Sequence, residues 1–254
     1  MKKKNKSYYD GYDYFKYWDN RDYEHESEVI AIEAFLDSLP QKPTSVADIG
    51  CGFGRLLPTY YSKKRTVTLI DPSQDLLDIA RKENSNKNVN YICSTVNELR
   101  KQKKSQFDLI IMVRVLHHID DLDDAFSVLN RLLKKNGHII LEFANKMHGK
   151  DQIKNFLKGN ITYPLDIFPT DKRSSKNVKQ GSISFLNHHP DIVESTLVEK
   201  GFTILQKRSV SNFRHSFFKE YISRELLLKL EKNSQVPLSH IHFGPSMFVL
   251  AKKV

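Results

Sequence analysis

The sequence predicts an α/β chain: an open, largely parallel sheet with helices on both faces. Three observations predict it. An apolar run, Val46-Ala47-Asp48-Ile49, feeds directly into a glycine turn, Gly50-Cys51-Gly52-Phe53-Gly54. A second β-branched run, Thr66-Val67-Thr68-Leu69-Ile70, ends on Asp71-Pro72-Ser73. Beyond these, short apolar runs alternate with amphipathic stretches of helical period, which is the pattern of strands joined by helical crossovers.

Taken in order, residues 7 to 20 crowd Tyr8, Tyr9, Tyr12, Tyr14, Phe15, Tyr17 and Trp18 into 14 positions. Arg21, Tyr23 and His25 follow, then an amphipathic helix presenting Val29, Ile30, Ile32, Phe35, Leu36 and Leu39. After the first strand, glycines at alternate positions let the backbone turn sharply and approach a ligand with no Cβ in the way. Asp48 closes that strand, where its carboxylate can meet a positively charged ligand group. A first crossover helix is expected from Arg55 to Lys64, beginning or kinking at Pro58. Asp71 stands at the carboxyl end of the second strand, where open parallel sheets bind ligands. An acid about 20 residues beyond the glycines suits paired ribose hydroxyls and disfavours a ribose 2′-phosphate. The glycine spacing differs from the G-x-G-x-x-G that offers a helix N-terminus to two phosphates, so an adenosine cofactor without phosphates fits better.

A strand over Gln106 to Ile111 leads to Val115-Leu116-His117-His118-Ile119-Asp120. The acids Asp120, Asp121, Asp123 and Asp124 read as the N-cap and acidic first turn of a helix from Ala125 to Lys135 rather than as a metal cluster, and its last turn is basic. Asn136-Gly137 makes the turn into a fifth strand, Ile139 to Phe143, since asparagine tolerates the left-handed conformation. Residues 145 to 186 hold no long periodic segment beyond a short helix near Gln152 to Leu157, and such an insertion is usually functional or mobile. Its aromatics Tyr163 and Phe168, with Phe185, are candidate pocket walls. Asn187-His188-His189-Pro190 then precedes a helix from Asp191 to Lys200, a strand Phe202 to Leu205, a helix near Phe217 to Leu230 and a last strand Ser246 to Ala251. Adjacent histidines before a proline are extended and their side chains diverge, so they cannot both ligate one metal.

Four segments between residues 46 and 143 together resemble the motifs of class I S-adenosylmethionine-dependent methyltransferases: the glycine turn with its strand, Asp71-Pro72-Ser73, the strand Gln106 to Ile111 with its histidine segment, and Leu132 to Leu141. The resemblance implies a Rossmann-like seven-stranded, mostly parallel sheet with one antiparallel edge pair, S-adenosylmethionine as cofactor, an N-terminal aromatic lid, for which an aromatic helix packed on the sheet's flank is the alternative, and an insertion after strand 5 over the acceptor pocket. On this reading residues 1–40 are lid and helix, 41–145 the cofactor-binding core, 146–186 the insertion and 187–254 the rest of the same domain. The candidate cofactor contacts are Asp48, Gly50, Cys51, Gly52, Gly54, Asp71, Pro72, Arg114 and Arg21, the last pairing either with the cofactor's carboxylate or with Glu24 or Glu28 at the helix start. Ser94-Thr95 stands where many relatives carry Gly-Asp, leaving the Thr95 hydroxyl or the Val96 amide to read the adenine. Tyr17, Trp18, His117, Asn212 and Arg214 are candidate acceptor contacts. His188 or His118 is the candidate general base if the acceptor is a hydroxyl. Some relatives hold a divalent metal with Glu-x-x-Glu-His after the fourth strand. Arg114, His117 and His118 stand there instead, which removes the hard oxygen ligands, and no metal is expected.

The chain of 254 residues has 40 Lys plus Arg against 30 Asp plus Glu, a formal charge of +10. Its cations are scattered, so a small-molecule acceptor is favoured over tRNA, which stays the alternative. A dinucleotide-dependent oxidoreductase and a noncatalytic partner of the same fold are the remaining rivals. With no long apolar stretch and no leader, a cytoplasmic protein with no membrane contact is expected. Cys51 and Cys93 read as small buried residues, not a disulfide.

Overall fold

In a computed structural model, residues 14–85, 88–179 and 182–254 are described. Five parallel strands form the first part of the sheet: β1 (Ser45–Ile49), β2 (Thr66–Asp71), β3 (Val89–Cys93), β4 (Phe107–Met112) and β5 (Leu133–Ala144). Their centre is apolar without alternation because both faces are covered, as in Val46, Ala47 and Ile49 or Leu69 and Ile70. Two later strands, β8 (Phe202–Val210) and β9 (Ser246–Lys253), complete a seven-stranded sheet in the order β3-β2-β1-β4-β5-β9-β8, with β9 antiparallel to both neighbours. The order reverses between β1 and β4, which opens a crevice at their carboxyl ends.

One face of the sheet packs against α5 (Leu122–Leu132) and α8 (Pro190–Glu199) through Phe126, Leu129, Val193 and Leu197. The other carries α2 (Asp22–Ser38), α3 (Leu57–Tyr60) and α4 (Gln74–Glu83) through Phe35, Tyr60 and Leu77, with α10 (Arg224–Ser239) against α2 and β8. α1 (Tyr14–Trp18) precedes α2. The insertion holds α6 (Gly149–Leu157), α7 (Ser175–Lys179) and a two-stranded ribbon of β6 (Thr170–Asp171) and β7 (Leu186–Asn187). It is fastened by the fully buried Lys146, whose ammonium donates to the Phe168 carbonyl at 2.7 Å and pairs with Asp166. α9 (Ser216–Tyr221) follows β8.

Several boundaries differ from the sequence expectation. The helix expected over 55–64 is the single turn α3, because Tyr60 must be buried against Asp48 and the chain then extends toward β2, with Arg65 donating to the Tyr60 carbonyl at 2.6 Å. The helix expected from 125 starts three residues earlier, where the Asp121 carboxylate accepts the Asp124 N–H at 2.9 Å, and it stops at Leu132. Asp123 and Asp124 pair with Lys200 and Arg100. Asn136 turns the chain at φ +61°. The helix expected over 217–230 is two, α9 and α10, because Ser223 adopts an extended conformation and caps Leu226 N. Cys93 is exposed at the end of β3, whereas Cys51 is buried. Among the described residues no helix is long and apolar enough to cross a membrane.

Candidate functional site

The glycine turn follows β1 at the crevice. Gly50, Gly52 and Gly54 have φ of +76°, +55° and +82°. At Gly50 the requirement is also spatial, since a Cβ there would stand 2.0 Å from Val115 Cγ2. The Gly50 N–H donates to the Ile70 carbonyl at 2.7 Å, which docks the turn on β2. Asp71 then ties the two loops together: one carboxylate oxygen accepts the Gly52 N–H and the other the Ser73 N–H, both at 2.8 Å. Behind the turn, Asp48 is 3% exposed and accepts the Tyr60 hydroxyl. Burial pushes its carboxyl up to about 7, the neighbouring Asp71 adding to the effect while Tyr60 and Arg55 oppose it. The Cys51 thiol is likewise raised by burial.

Trp18 closes this cleft. Its ring lies under the Arg55 guanidinium at 3.6 Å and the Arg114 guanidinium at 4.8 Å, and its indole N–H is buried with no hydrogen-bond acceptor among the described residues. The cleft between Trp18 and the turn shrinks to about 20 Å³. Both cations of this wall converge on Glu28, which is 1% exposed and accepts from Arg55 at 2.5 Å and Arg114 at 2.6 Å. Burial alone would raise the Glu28 carboxyl, but the two guanidiniums outweigh it and hold it below the ordinary range. Arg114 itself has φ +59°, with its N–H donating to Glu142 Oε2 at 2.7 Å. Arg21 lies over the Tyr17 ring at 4.3 Å. The two acids at the start of α2 have other partners: Glu28 the two arginines, Glu24 the Lys219 ammonium at 2.9 Å.

Beside this cleft opens a cavity of about 390 Å³, reached at the carboxyl ends of β4 and β5. Its floor is buried: His117, Glu142, Asn187 and Ser211. The His117 ring packs on Phe185, centroids 4.4 Å apart, and on His118 at 4.0 Å. Burial, then the neighbouring His118, Arg114 and His188, holds His117 well below the ordinary imidazole range, so it is uncharged at neutral pH. Tyr17, Arg21 and Arg214 line the same cavity, as do Lys150 and Lys154 of the insertion.

Other residues named from the sequence lie elsewhere. His188 does not line either cavity; its Nε2 faces the Leu116 carbonyl at 3.0 Å, an oxygen that can only accept, so this nitrogen carries the proton. His118 is turned the same way toward the Ser184 carbonyl at 2.6 Å. His189 accepts the Asp191 N–H, starts α8 and is buried. Asn212 is absorbed in its own turn, donating to the Ser209 carbonyl at 2.8 Å and accepting from the Ser209 hydroxyl at 2.6 Å. Thr95 bonds Glu98 through its N–H and hydroxyl, at 3.0 and 3.1 Å, and Val96 packs against the core. The Pro72 carbonyl faces Cys93 Sγ at 3.5 Å. Tyr163 donates to the Lys146 carbonyl and Phe168 is exposed, so of the three aromatics named as pocket walls Phe185 alone lines the cavity. Tyr8, Tyr9 and Tyr12 lie outside the described residues.

Lys150, Asp151, Lys154, Lys172 and His148 also line the cavity without having been picked out from sequence. Only the four-residue spacing of Lys150 and Lys154, which puts both on one side of α6, gave a signal.

A knot of hydrogen bonds sets the cavity's outer edge. Glu231 of α10 accepts the Ser211 N–H at 2.8 Å, the Asn212 N–H at 3.1 Å and the Tyr23 hydroxyl at 2.7 Å, while Tyr23 accepts the Phe213 N–H at 3.0 Å. Burial and the Glu231 charge keep the Tyr23 hydroxyl protonated, well above its ordinary value.

A family model described as a methyltransferase domain matches residues 47–141. A ubiquinone biosynthesis O-methyltransferase of Coxiella burnetii is 28% identical over 175 residues, spanning 63% of this chain and 74% of that protein. The fold is similar to an S-adenosylmethionine-dependent methyltransferase from Mesorhizobium loti (TM-score 0.58, 17% identity, 89% of this chain and 98% of that one). It is also similar to magnesium protoporphyrin IX methyltransferase from Synechocystis PCC 6803, solved with bound S-adenosylhomocysteine (TM-score 0.53, 19% identity, 91% and 84%).

Proposed function

We propose how this chain, an enzyme of the class I S-adenosylmethionine-dependent methyltransferase superfamily, seats its cofactor and what it methylates: the cofactor lies along the glycine turn with its ribose on Asp71, and a small molecule receives the methyl group in the adjoining cavity. The observation that carries this reading is the left-handed turn of Gly50, Gly52 and Gly54 held against Asp71 at the point where the strand order reverses. S-adenosylmethionine supplies an electrophilic methyl group on a sulfonium.

The residues present suit that group. Gly50 leaves the backbone bare where a Cβ has no room. Asp71 stands at the carboxyl end of β2 beside the turn, where a carboxylate can accept from ribose hydroxyls. Asp48, with its raised carboxyl, is placed to become charged when a cation such as the cofactor's amino group arrives. The cleft's 20 Å³ holds roughly one water. Cofactor admission therefore requires Trp18 to move, and its return would exclude water, which makes α1 a lid.

For the acceptor, the 390 Å³ cavity is of small-molecule size, and the relative named for ubiquinone biosynthesis supports a small acceptor. His117 is the base we assign, because it faces the cavity uncharged while His188 and His118 do not line it. Methyl transfer needs mainly an acceptor held in line in a dry site, so His117 matters only where a hydroxyl or an ammonium must lose a proton.

Calorimetry with S-adenosylhomocysteine tests the placement. The folded protein is expected to bind it, and Asp71→Ala to weaken binding by about 1–3 kcal/mol through lost charged hydrogen bonds. Unchanged affinity would place the ribose elsewhere.

A further inference from the structure

We propose that the acceptor is an anion, a small molecule carrying a carboxylate or phosphate that docks on Arg214, Lys150 and Lys154 at the rim of the cavity while its methyl-accepting atom faces His117. This rests on the cofactor and acceptor placement proposed above.

The argument is a charge inventory. Six Lys and Arg side chains line the cavity against three carboxylates. Each of those carboxylates is already engaged: Glu24 by Lys219 at 2.9 Å, Asp151 by Lys172 at 2.6 Å and His148 at 3.1 Å, and Glu142 by the Arg114 N–H at 2.7 Å. Arg114 is balanced by Glu28 from behind. Among the described residues, no carboxylate lies within ion-pair distance of Arg21, Arg214, Lys150 or Lys154. Four cations drawn from the α1–α2 junction, the loop after β8 and the insertion are thus gathered on one opening with no carboxylate paired to any of them, although cations so gathered repel one another. Glu24 and Asp151 act on Arg214 and Lys154 only from beyond ion-pair distance, each already held by its own lysine. Giving Arg21 to the carboxylate of the cofactor's methionine half still leaves three, on two separate walls.

Depth sorts the site further. The cations without an ion-pair partner sit at the open rim, where Lys150, Lys154 and Arg214 are exposed. The floor offers the uncharged imidazole of His117 with the Phe185 ring against it. A ligand matching both ends has a planar or apolar body that reaches the floor and an anionic group that stays at the rim. A concave site lined by one sign of charge also concentrates such ligands from solution.

The test begins with calorimetry of S-adenosylhomocysteine. Failure to bind removes the cofactor placement itself and this inference with it. With the protein saturated in S-adenosylhomocysteine, ligand-observed NMR titrations then compare benzoate and phenyl phosphate with uncharged benzamide. At least one anion is expected to bind about tenfold tighter than benzamide, with affinity falling as salt rises. Which anion binds better separates carboxylate from phosphate. The double variant Lys154→Gln/Arg214→Gln is expected to lose about tenfold for the anion and less than about twofold for benzamide, and Lys154→Gln alone to lose a part of this. Cofactor binding without a preference for either anion, or a preference that survives the double variant, overturns the anionic acceptor and leaves the cofactor placement intact.

Discussion

The cleft at the glycine turn and the cavity beside it share Arg114 and differ in how they are made. The cleft is a property of backbone: consecutive residues 50–54, fixed by positive φ and by N–H groups donated to Asp71 and Ile70. The cavity is a property of side chains, brought from the α1–α2 junction, β5, the insertion, the loop after β8 and β9. Chemistry common to a superfamily needs the first kind of wall. Choice of substrate needs the second, whose residues can change without disturbing the sheet.

The sharpest way to break this contrast is Gly50→Ala. A Cβ 2.0 Å from Val115 on a residue at φ +76° combines overpacking with a left-handed penalty, so a loss of about 3 kcal/mol or more is expected in urea unfolding. Adding Val115→Ala is expected to recover the steric part and leave about 1–2 kcal/mol from the backbone. Full recovery would show that side-chain packing, not main chain, dictates the turn.

Glu28→Gln comes next, expected to cost about 3 kcal/mol because it leaves two guanidiniums facing an uncharged amide in the wall between the two spaces. The sign of its pH dependence is fixed. The Glu28 carboxyl lies below its ordinary value in the fold, so its contribution is complete above the unfolded value and fades as pH falls through the folded one. Acid unfolding of the variant is therefore expected to be flatter than that of the parent.

Asp48 has the opposite sign. Its folded value of about 7 exceeds the ordinary 3.8, so the fold keeps a proton the unfolded chain has lost, and stability falls as pH rises between those values and then levels. A cationic ligand at Asp48 is expected to expel that proton. Calorimetry of S-adenosylmethionine near pH 7, in two buffers of different ionisation enthalpy, reads it as a release of about half a proton, absent in Asp48→Asn. The smallest effect belongs to the cavity rim: Lys172→Ala breaks a partly exposed pair with Asp151 and is expected to change stability by less than about 1 kcal/mol.

The same division explains what was legible in the sequence. The glycine turn, Asp71 at the end of β2, the Asp121 cap and the Asn136 turn are local, and each is written in adjacent residues. Which histidine faces the cavity is not local. It depends on Arg114 taking φ +59° to reach Glu142, which sets the short turn Leu116–His118 and rotates His117 inward and His118 toward Ser184. The burial of His188 depends on Leu116, 72 residues away in sequence. The break between α9 and α10 was legible after all, since Ser223 with an acid in the following turn is an ordinary cap, but the continuous apolar period across it masked the signal.

The Glu231 knot has a consequence for this opening. Arg21 stands one residue before α2 and two before Tyr23; Arg214 stands one residue after Phe213, whose N–H that same tyrosine holds. The segments that carry the two guanidiniums are therefore fastened to one bracket by the hydrogen bonds of Tyr23 and Glu231. Slackening that bracket would therefore shift both cation-bearing segments together.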